Sequence, residues 1–220
     1  MSNIVRGYLV GYNVLQFLGW LVIFYHTVSA VLFQRSPKEL YVKNALLLNV
    51  FQTAAILEVL NAAFGLVRSS TVTVSMQVTS RLMVTWAVCH CVTESQSSCG
   101  VFLFMFAWSL VEIVRYTYYA CALVTSVPYV VTFLRYTLFI VLYPMGVTGE
   151  MLALKAALPE VARTGLFSVD LPNRANMSFS YYYFLVFYAL LYIPFFPQLY
   201  MHMFGQRRKF LGTEMAKKQE

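Results

Sequence analysis

Tyr143 and Glu150 have the residue types and the spacing of a proton donor and a proton acceptor that share one site. They lie seven residues apart in the segment YPMGVTGE. Seven residues of α-helix turn about 700°, close to two full turns, so both side chains face the same direction. Phenols ordinarily titrate near pH ~10 and carboxylates near ~4.3, so at neutral pH one donates and the other accepts. Such a pair suits removal of a proton beside a carbonyl with loss of a leaving group.

The residues between the tyrosine and the glutamate disturb a regular helix. A straight helix holds the two Cα atoms about 10.5 Å apart along its axis. Pro144 has no N–H to donate to the carbonyl of Ile140, which predicts a kink near that point. Gly146 and Gly149 loosen the next turn and leave space beside the backbone. We expect the broken turn to bring both side chains toward one pocket.

The composition is that of a membrane protein that crosses the bilayer several times. Of 220 residues, 60% are hydrophobic and 11% are charged, whereas soluble domains carry about 25% charged residues. The net charge of +7 does not indicate a nucleic-acid partner, because five basic residues lie after position 206, beside a membrane end where anionic headgroups attract them. Apolar runs of about 20 residues predict an all-α bundle of six spans in one domain, 1–220, with a tail at 205–220. The predicted spans are 8–33, 41–66, 72–93, 100–124, 128–152 and 179–204.

The orientation of the spans follows from the C-terminus. An even number of spans puts both termini on one side. Lys217 and Lys218 stand fourth and third from the chain end, which resembles the cytosolic di-lysine retrieval signal of endoplasmic-reticulum proteins, although basic residues in the first and fifth loops favour the opposite orientation. With cytosolic termini, Tyr143 and Glu150 lie in the lumenal half of the fifth span, and the glycosylation sequon at Asn176 is lumenal.

Six ionisable side chains are predicted at membrane depth, three acidic and three basic. Each costs about 2.5–3.5 kcal/mol at a helix centre, so we expect them to face inward and pair. Glu112 and Arg115, three residues apart, can pair along one helix face. The others must find partners across the bundle, and they are Glu58, Arg81, Arg135 and Glu150. They predict either a neutral polar core or, the interpretation that we favour, a substrate cavity.

Several segments resemble the very-long-chain (3R)-3-hydroxyacyl-CoA dehydratases of the endoplasmic reticulum, once named protein tyrosine phosphatase-like proteins. YPMGVTGE is similar to the catalytic-helix motif of that family. The resemblance extends in order over about two-thirds of the chain, through LEVLNAAFGLVRSS, QVTSRLMVTWAV, WSLVEIVRYTYYA, FSVDLPNRANMSFSYYYFL and FFPQLYMHMFGQRRK.

The resemblance implies dehydration of a (3R)-3-hydroxyacyl-CoA to a trans-2-enoyl-CoA, the third step of fatty-acid elongation, with no cofactor. It implies that Tyr143 and Glu150 are catalytic, one as acid and one as base, in either order. It places Arg135 and Gly146 in the active-site region. Helix geometry independently puts Arg135, eight residues before Tyr143, about 80° round the same helix, where it could meet a phosphate or tune the tyrosine. The family's polar motifs also contain Arg81, Glu112 and Arg115.

The implied partners are the long-chain acyl-CoA substrate, membrane lipid and the condensing enzyme, ketoacyl reductase and enoyl reductase of the elongation cycle. A cytosolic CoA head conflicts with a catalytic pair in the lumenal half of its span. The alternative is a non-catalytic membrane scaffold that binds elongation enzymes or tyrosine-phosphorylated proteins.

Three other functions find little support. Tyrosine phosphatases need an arginine six residues after the cysteine nucleophile, and Ser97 occupies that position after Cys91. Cys89-His90-Cys91 lacks a second ligand pair at zinc-site spacing. A transporter usually has broken helices in repeat-related pairs, and the sequence shows no repeat.

Overall fold

Helices make up most of the structure, a computed structural model that describes residues 2–67, 69–173 and 176–217 and the side chains up to residue 210. In chain order they are α1 (Asn3–Leu32), α2 (Pro37–Ala54), α3 (Ile56–Ala63), α4 (Thr71–Leu82), a π-helix (Met83–His90), α5 (Thr93–Gln96), α6 (Gly100–Val124), α7 (Tyr129–Arg135), α8 (Phe139–Thr164) and α9 (Tyr181–Lys217). The described residues add one isolated antiparallel bridge, between Val169 and Phe179. The predicted all-α class is confirmed.

Five helical stretches in the described residues are long and apolar enough to cross a membrane. They are α1, α2 with α3, α6, α8 and the part of α9 up to Phe210. The predicted third span, 72–93, is occupied by α4 and the π-helix, which are not among the five. The chain is therefore an all-helical protein with several candidate spans, and a sixth span remains a prediction.

Two predicted boundaries differ from the structure. The predicted fifth span, 128–152, is split by a turn at 136–138, and α8 then continues to Thr164. Residues 153–164 lie between the predicted fifth and sixth spans, yet they are helical. Ala153, Ala157 and Val161 form a buried stripe at four-residue spacing there, and such a stripe holds a helix against its neighbour. Likewise, residues 205–217 of the predicted tail belong to α9, and Lys218 lies outside the described residues.

Helix α6 packs along both α1 and α8 and forms the centre of the bundle. Gly149 on α8 faces the α6 backbone, and a Cβ there would lie 2.6 Å from the nitrogen of Phe104. Gly149, Ala153 and Ala157 repeat at four-residue intervals. Small residues at that spacing allow membrane helices to approach closely. Helices α6 and α8 can thus pack closely because α8 has only small residues at this contact.

The start of α1, the end of α6 and the last turns of α9 lie at one end of the bundle. The Arg6 guanidinium donates to the carbonyl of Val124 at 3.4 Å. The ring of Phe210 stacks on Tyr136, with centroids 5.0 Å apart. We call this the terminal end. Residues 165–173 and 176–180 lie at the opposite end, after the last turn of α8, and they include Asn176, which is exposed.

Candidate active site

Glu150 is a buried carboxyl group held by aromatic side chains of two other helices. The indole Nε1 of Trp108 on α6 donates to Oε1 at 2.9 Å. The hydroxyl of Tyr192 on α9 is hydrogen-bonded to Oε2 at 2.6 Å. Only 6% of Glu150 is exposed, and no lysine or arginine of the described residues lies within ion-pair distance. An ionised carboxylate without a counter-charge is costly in such surroundings, so this group is poised for proton chemistry.

The hydrogen bonds continue from Tyr192 into α4. The Tyr192 and Tyr188 hydroxyl oxygens are 2.7 Å apart. Tyr188 in turn donates to the backbone carbonyl of Ser80 at 2.8 Å. Ser80 lies three residues before the π-helix, a rare element that is frequent at functional sites. The glutamate thus stands at one end of an unbranched chain of oxygens that links three helices.

Tyr143 lies on the same helix, two turns nearer the terminal end. Helix α8 is continuous from Phe139 through Glu150, so both side chains occupy one face, as their spacing predicts. The Tyr143 ring stacks beside Phe196 and Tyr200, with centroid distances of 6.1 and 6.4 Å. Its phenol interacts with the Gln77 side chain and lies within electrostatic reach of Glu150. The phenol is therefore placed between α4 and α9, above the buried carboxyl group.

Pro144 does not interrupt the helix at its own position. The carbonyl of Ile140, which Pro144 deprives of its helical N–H, accepts a hydrogen bond from the Tyr200 hydroxyl at 2.9 Å. This side-chain donor replaces the missing backbone donor. The interruption lies instead at residues 136–138, before the proline. The expectation that a broken turn joins Tyr143 to Glu150 is wrong, because a regular helix runs between them.

The start of α8 at Phe139 also corrects the expected depth of the pair. A helix of 26 residues is about 39 Å long. Tyr143 is four residues, about 6 Å, from the start of α8 at the terminal end, and Glu150 is about 17 Å from it. The prediction that both lie in the half away from the termini is therefore wrong. Tyr143 is near the terminal end, and Glu150 is near mid-helix.

Four of the six predicted intramembrane charges form one network beside this site. The predicted Glu112–Arg115 pair is confirmed, with Arg115 Nε donating to Oε2 at 2.6 Å. Arg115 also donates twice to Glu58, at 2.7 and 2.9 Å. Arg81 forms a salt bridge with the other oxygen of Glu112 and donates to Gln52 at 3.0 Å. Two acids and two arginines balance, so the network is neutral.

Arg81 connects this network to the carboxyl site. Its guanidinium lies over the Trp108 ring, 4.9 Å from the centroid, and on Trp20 at 5.2 Å. Trp108 is the residue that donates to Glu150. Arg81 therefore fixes a donor of the site by cation–π contact, while its own hydrogen bonds go to other groups.

Arg135 is not on the helix of Tyr143, so its expected position about 80° round that helix is wrong. It ends α7, before the turn at 136–138. Its guanidinium lies between Tyr118 and Tyr119, 4.5 and 4.6 Å from their centroids, and donates to the Tyr119 hydroxyl at 3.0 Å. No carboxylate of the described residues pairs with it. It is a cation held by aromatic rings at the terminal end.

Gly146 is the remaining predicted site residue. A Cβ built on it would lie 3.5 Å from the Cβ of Ala107 and 3.8 Å from the Trp108 indole, at ordinary contact distances. Trp108 and Tyr192 were not predicted as partners of Glu150, nor was Tyr188 as the partner of Tyr192. The four-residue spacing of the two tyrosines puts them on one face of α9, but the chain has 16 tyrosines and only the packing distinguishes these two.

Fold and site together define a class: an all-helical membrane protein with a buried, unpaired carboxyl group and a phenol on one transmembrane helix. The family described as "Protein tyrosine phosphatase-like protein, PTPLA" matches residues 52–213. The chain belongs to this family.

Curated relatives match almost the whole chain. The human protein named very-long-chain (3R)-3-hydroxyacyl-CoA dehydratase 2 is 51% identical over 218 residues, which cover 99% of this chain and 86% of the relative. The Caenorhabditis elegans dehydratase hpo-8 is 48% identical, covering 98% and 99% of the two chains. The Arabidopsis thaliana dehydratase PASTICCINO 2 is 34% identical, covering 96% of each. No solved structure matches.

Proposed function

We propose that this protein is a 3-hydroxyacyl-CoA dehydratase, a hydro-lyase that converts a very-long-chain (3R)-3-hydroxyacyl-CoA to the trans-2-enoyl-CoA in fatty-acid elongation. The observation that carries the proposal is the uncompensated Glu150 carboxyl group beneath Tyr143. Relatives with that activity in their names, 34–51% identical over nearly the full chain, support it. Elimination of water needs an acid and a base near C2 and C3 of the acyl chain, and these two residues supply both groups.

The thioester carbonyl acidifies the C2 proton of the substrate. In the proposed reaction, Tyr143 and Glu150 move the C2 proton and protonate the C3 hydroxyl, which leaves as water. The C2–H electron pair becomes the new double bond. Because the pair shares one face of α8, substrate bound along that face would present C2 and C3 to both side chains.

The position of Tyr143 near the terminal end suits a CoA thioester. With the termini in the cytosol, the acyl chain enters the bundle while the phosphates of CoA stay at the terminal end. Arg135, a cation with no acidic partner among the described residues, lies at that end. We propose that it faces the CoA phosphates and that Arg81, Glu112 and Arg115 support the site by holding Trp108 and the helices around it.

The proposed topology is a single domain of six spans, with α4 and the π-helix as the third. The long helices then alternate in direction from α1 to α9, which returns the chain to the terminal end. We propose that both termini are cytosolic in the endoplasmic-reticulum membrane and that Lys217 and Lys218 serve as the retrieval signal. The condensing enzyme and the two reductases of elongation are the proposed partners.

The test is dehydration of a long-chain (3R)-3-hydroxyacyl-CoA by purified protein, beside the Tyr143→Phe and Glu150→Gln variants. We expect activity in the parent and a loss of about 10²–10⁴-fold in each variant, the usual contribution of a general acid or base. Circular dichroism confirms that both variants stay folded. An inactive parent in membranes that contain the partner enzymes would favour the scaffold instead.

A further inference from the structure

The hydrogen-bond chain that ends at Glu150 contains more contacts than its two phenols have protons. Three oxygen–oxygen contacts follow one another along the chain: Ser80 carbonyl to Tyr188 at 2.8 Å, Tyr188 to Tyr192 at 2.7 Å, and Tyr192 to Glu150 Oε2 at 2.6 Å. Each such distance needs one proton between the two oxygens. A phenol supplies one proton, whereas a carbonyl and an ionised carboxylate supply none. With Glu150 ionised, one contact would bring two lone pairs together.

One arrangement satisfies all three contacts. The carboxylic acid O–H of Glu150 donates to Tyr192, Tyr192 donates to Tyr188, and Tyr188 donates to the Ser80 carbonyl. Oε1, the carbonyl oxygen of the acid, accepts from the Trp108 indole at 2.9 Å. Every donor and acceptor in this arrangement has its partner, as expected for buried polar groups.

We propose that Glu150 is a carboxylic acid in the resting protein, with its proton held on Oε2 by the Tyr192–Tyr188 pair. Tyr192 and Tyr188 are then positioning residues, because they fix which oxygen carries the proton. The Ser80 carbonyl can only accept, so the chain ends there and no proton leaves through it. A proton passed to a substrate therefore comes from Glu150 itself and not from the Ser80 end of the chain.

The charges around Glu150 agree with a neutral acid. Arg81 is the cation within electrostatic reach, but its hydrogen bonds go to Glu112 and Gln52, and its charge belongs to the neutral network. The other titratable or polar groups that face Glu150 are uncharged phenols, an indole and a thiol, namely Tyr143, Tyr188, Tyr192, Trp108 and Cys89.

The role of this proton rests on the proposed function. Over one turnover, Glu150 gives its proton to the C3 hydroxyl, and the C3–O bond breaks with its electron pair on the departing water. Glu150 receives the C2 proton, and the C2–H electron pair becomes the C2=C3 double bond. The group ends as the acid with which it began, and the net reaction is loss of one water. In this form of the proposed reaction both proton transfers occur at Glu150, and Tyr143 assists by donating a hydrogen bond to the thioester or hydroxyl oxygen.

Infrared spectroscopy of the purified protein without substrate tests the protonation directly. We expect a carboxylic acid C=O band at neutral pH that disappears in Glu150→Gln. In Tyr192→Phe the band should move to higher wavenumber because the acid loses its acceptor. Tyr181→Phe is the matched control: it removes a phenol of the same helix that donates to the Ala87 carbonyl at 2.6 Å, and the band should not move. The proposal is overturned if the parent lacks the band, or if the band has the same wavenumber in Tyr192→Phe as in the parent.

Thermal unfolding gives a second measurement that needs no activity. A glutamine amide places an N–H donor and a carbonyl acceptor where a carboxylic acid has its O–H and C=O, and it carries one further N–H. Glu150→Gln should therefore unfold close to the parent's temperature, and Glu150→Met should unfold lower. A destabilised Glu150→Gln beside a parent that lacks the acid band would show an ionised glutamate. A parent that shows the band but does not dehydrate hydroxyacyl-CoA supports the protonation and overturns only the proposed function.

Discussion

Adding one methyl group at Gly149 should separate α6 from α8 and disturb the site that both helices build. A Cβ there would lie 2.6 Å from the nitrogen of Phe104, 2.7 Å from the carbonyl of Gly100 and 2.9 Å from the Cβ of Leu103. Normal contacts between such atoms are about 3.5–4.0 Å. Two of the three atoms belong to the backbone, so no side-chain rotation relieves the clash, and the helices must move apart by about 1 Å.

This movement has a cost that can be bounded. Overpacking of a tight interface costs about 1–3 kcal/mol, and replacing a helical glycine with alanine returns about 1 kcal/mol. We therefore expect Gly149→Ala to lower the free energy of unfolding by up to about 2 kcal/mol. The effect on activity should be larger. Trp108 on α6 donates to Glu150 at 2.9 Å, and a misplacement of about 1 Å can cost 10²-fold in rate.

Gly146→Ala is the matched control for stability, because it adds the same methyl group one turn earlier. Its Cβ would find Ala107 at 3.5 Å and Trp108 at 3.8 Å, so the helix propensity gain of about 1 kcal/mol should dominate. The assays are thermal unfolding in detergent for both variants and dehydration of hydroxyacyl-CoA for Gly149→Ala. Equal unfolding temperatures for the two variants would refute the steric argument, as would full activity in Gly149→Ala.

Three further predictions concern the ion network, the proline and the topology. Glu112→Gln removes the charged partner that two half-buried arginines share and should lower the free energy of unfolding by about 3–5 kcal/mol. Glu39→Gln in an exposed pair at 3.7 Å should cost under about 1 kcal/mol, and similar losses for the two variants would contradict this. Tyr200→Phe leaves the Ile140 carbonyl without a donor and should lower the free energy of unfolding by about 1–3 kcal/mol. In a Pro144→Ala background residue 144 again has a backbone N–H for that carbonyl, so the same change should lower it much less. An equal loss in both backgrounds would contradict the role of Tyr200 as the replacement donor. Cys99 is an exposed free thiol at the end of the bundle opposite the termini. In sealed vesicles with the cytosolic face outward, an impermeant maleimide should therefore label it only after detergent is added. Immediate labelling would contradict the proposed topology.

The sequence predicts contacts within one helix and misses those between helices. Tyr143 and Glu150 share a face because α8 is regular between them, and Glu112 meets Arg115 because three residues make nearly one turn. The same argument gives the wrong position for Arg135, because the turn at 136–138 separates Arg135 from the helix of Tyr143 on which the angle of about 80° was calculated. A helical wheel holds only within an unbroken helix, and short apolar segments do not reveal a three-residue break.

The partners of Glu150 depend on the packing of three helices. Trp108 and Tyr192 are 42 positions away from it, on either side along the chain. Nothing local marks them, because aromatic residues are frequent throughout a chain with 17% aromatics. The same limit applies to Gly149. Its presence suggests a flexible turn, but its use in the structure is to remove volume where α6 crosses α8.

The pairing of charges separates two kinds of buried glutamate in this protein. Glu58 and Glu112 each accept from arginines, so their charges are balanced, and both remain bound to the network that holds the helices. Glu150 has only uncharged side chains at hydrogen-bond distance. The nearby Arg81 donates its hydrogen bonds to Glu112 and Gln52, and its guanidinium packs on Trp108. A cation at hydrogen-bond distance would lock Glu150 in its ionised form and exclude it from giving up a proton. The neutral network therefore does more than stabilise the bundle: by pairing Arg81 with Glu112 it leaves Glu150 without a counter-ion, as the proposed proton exchange with a substrate requires.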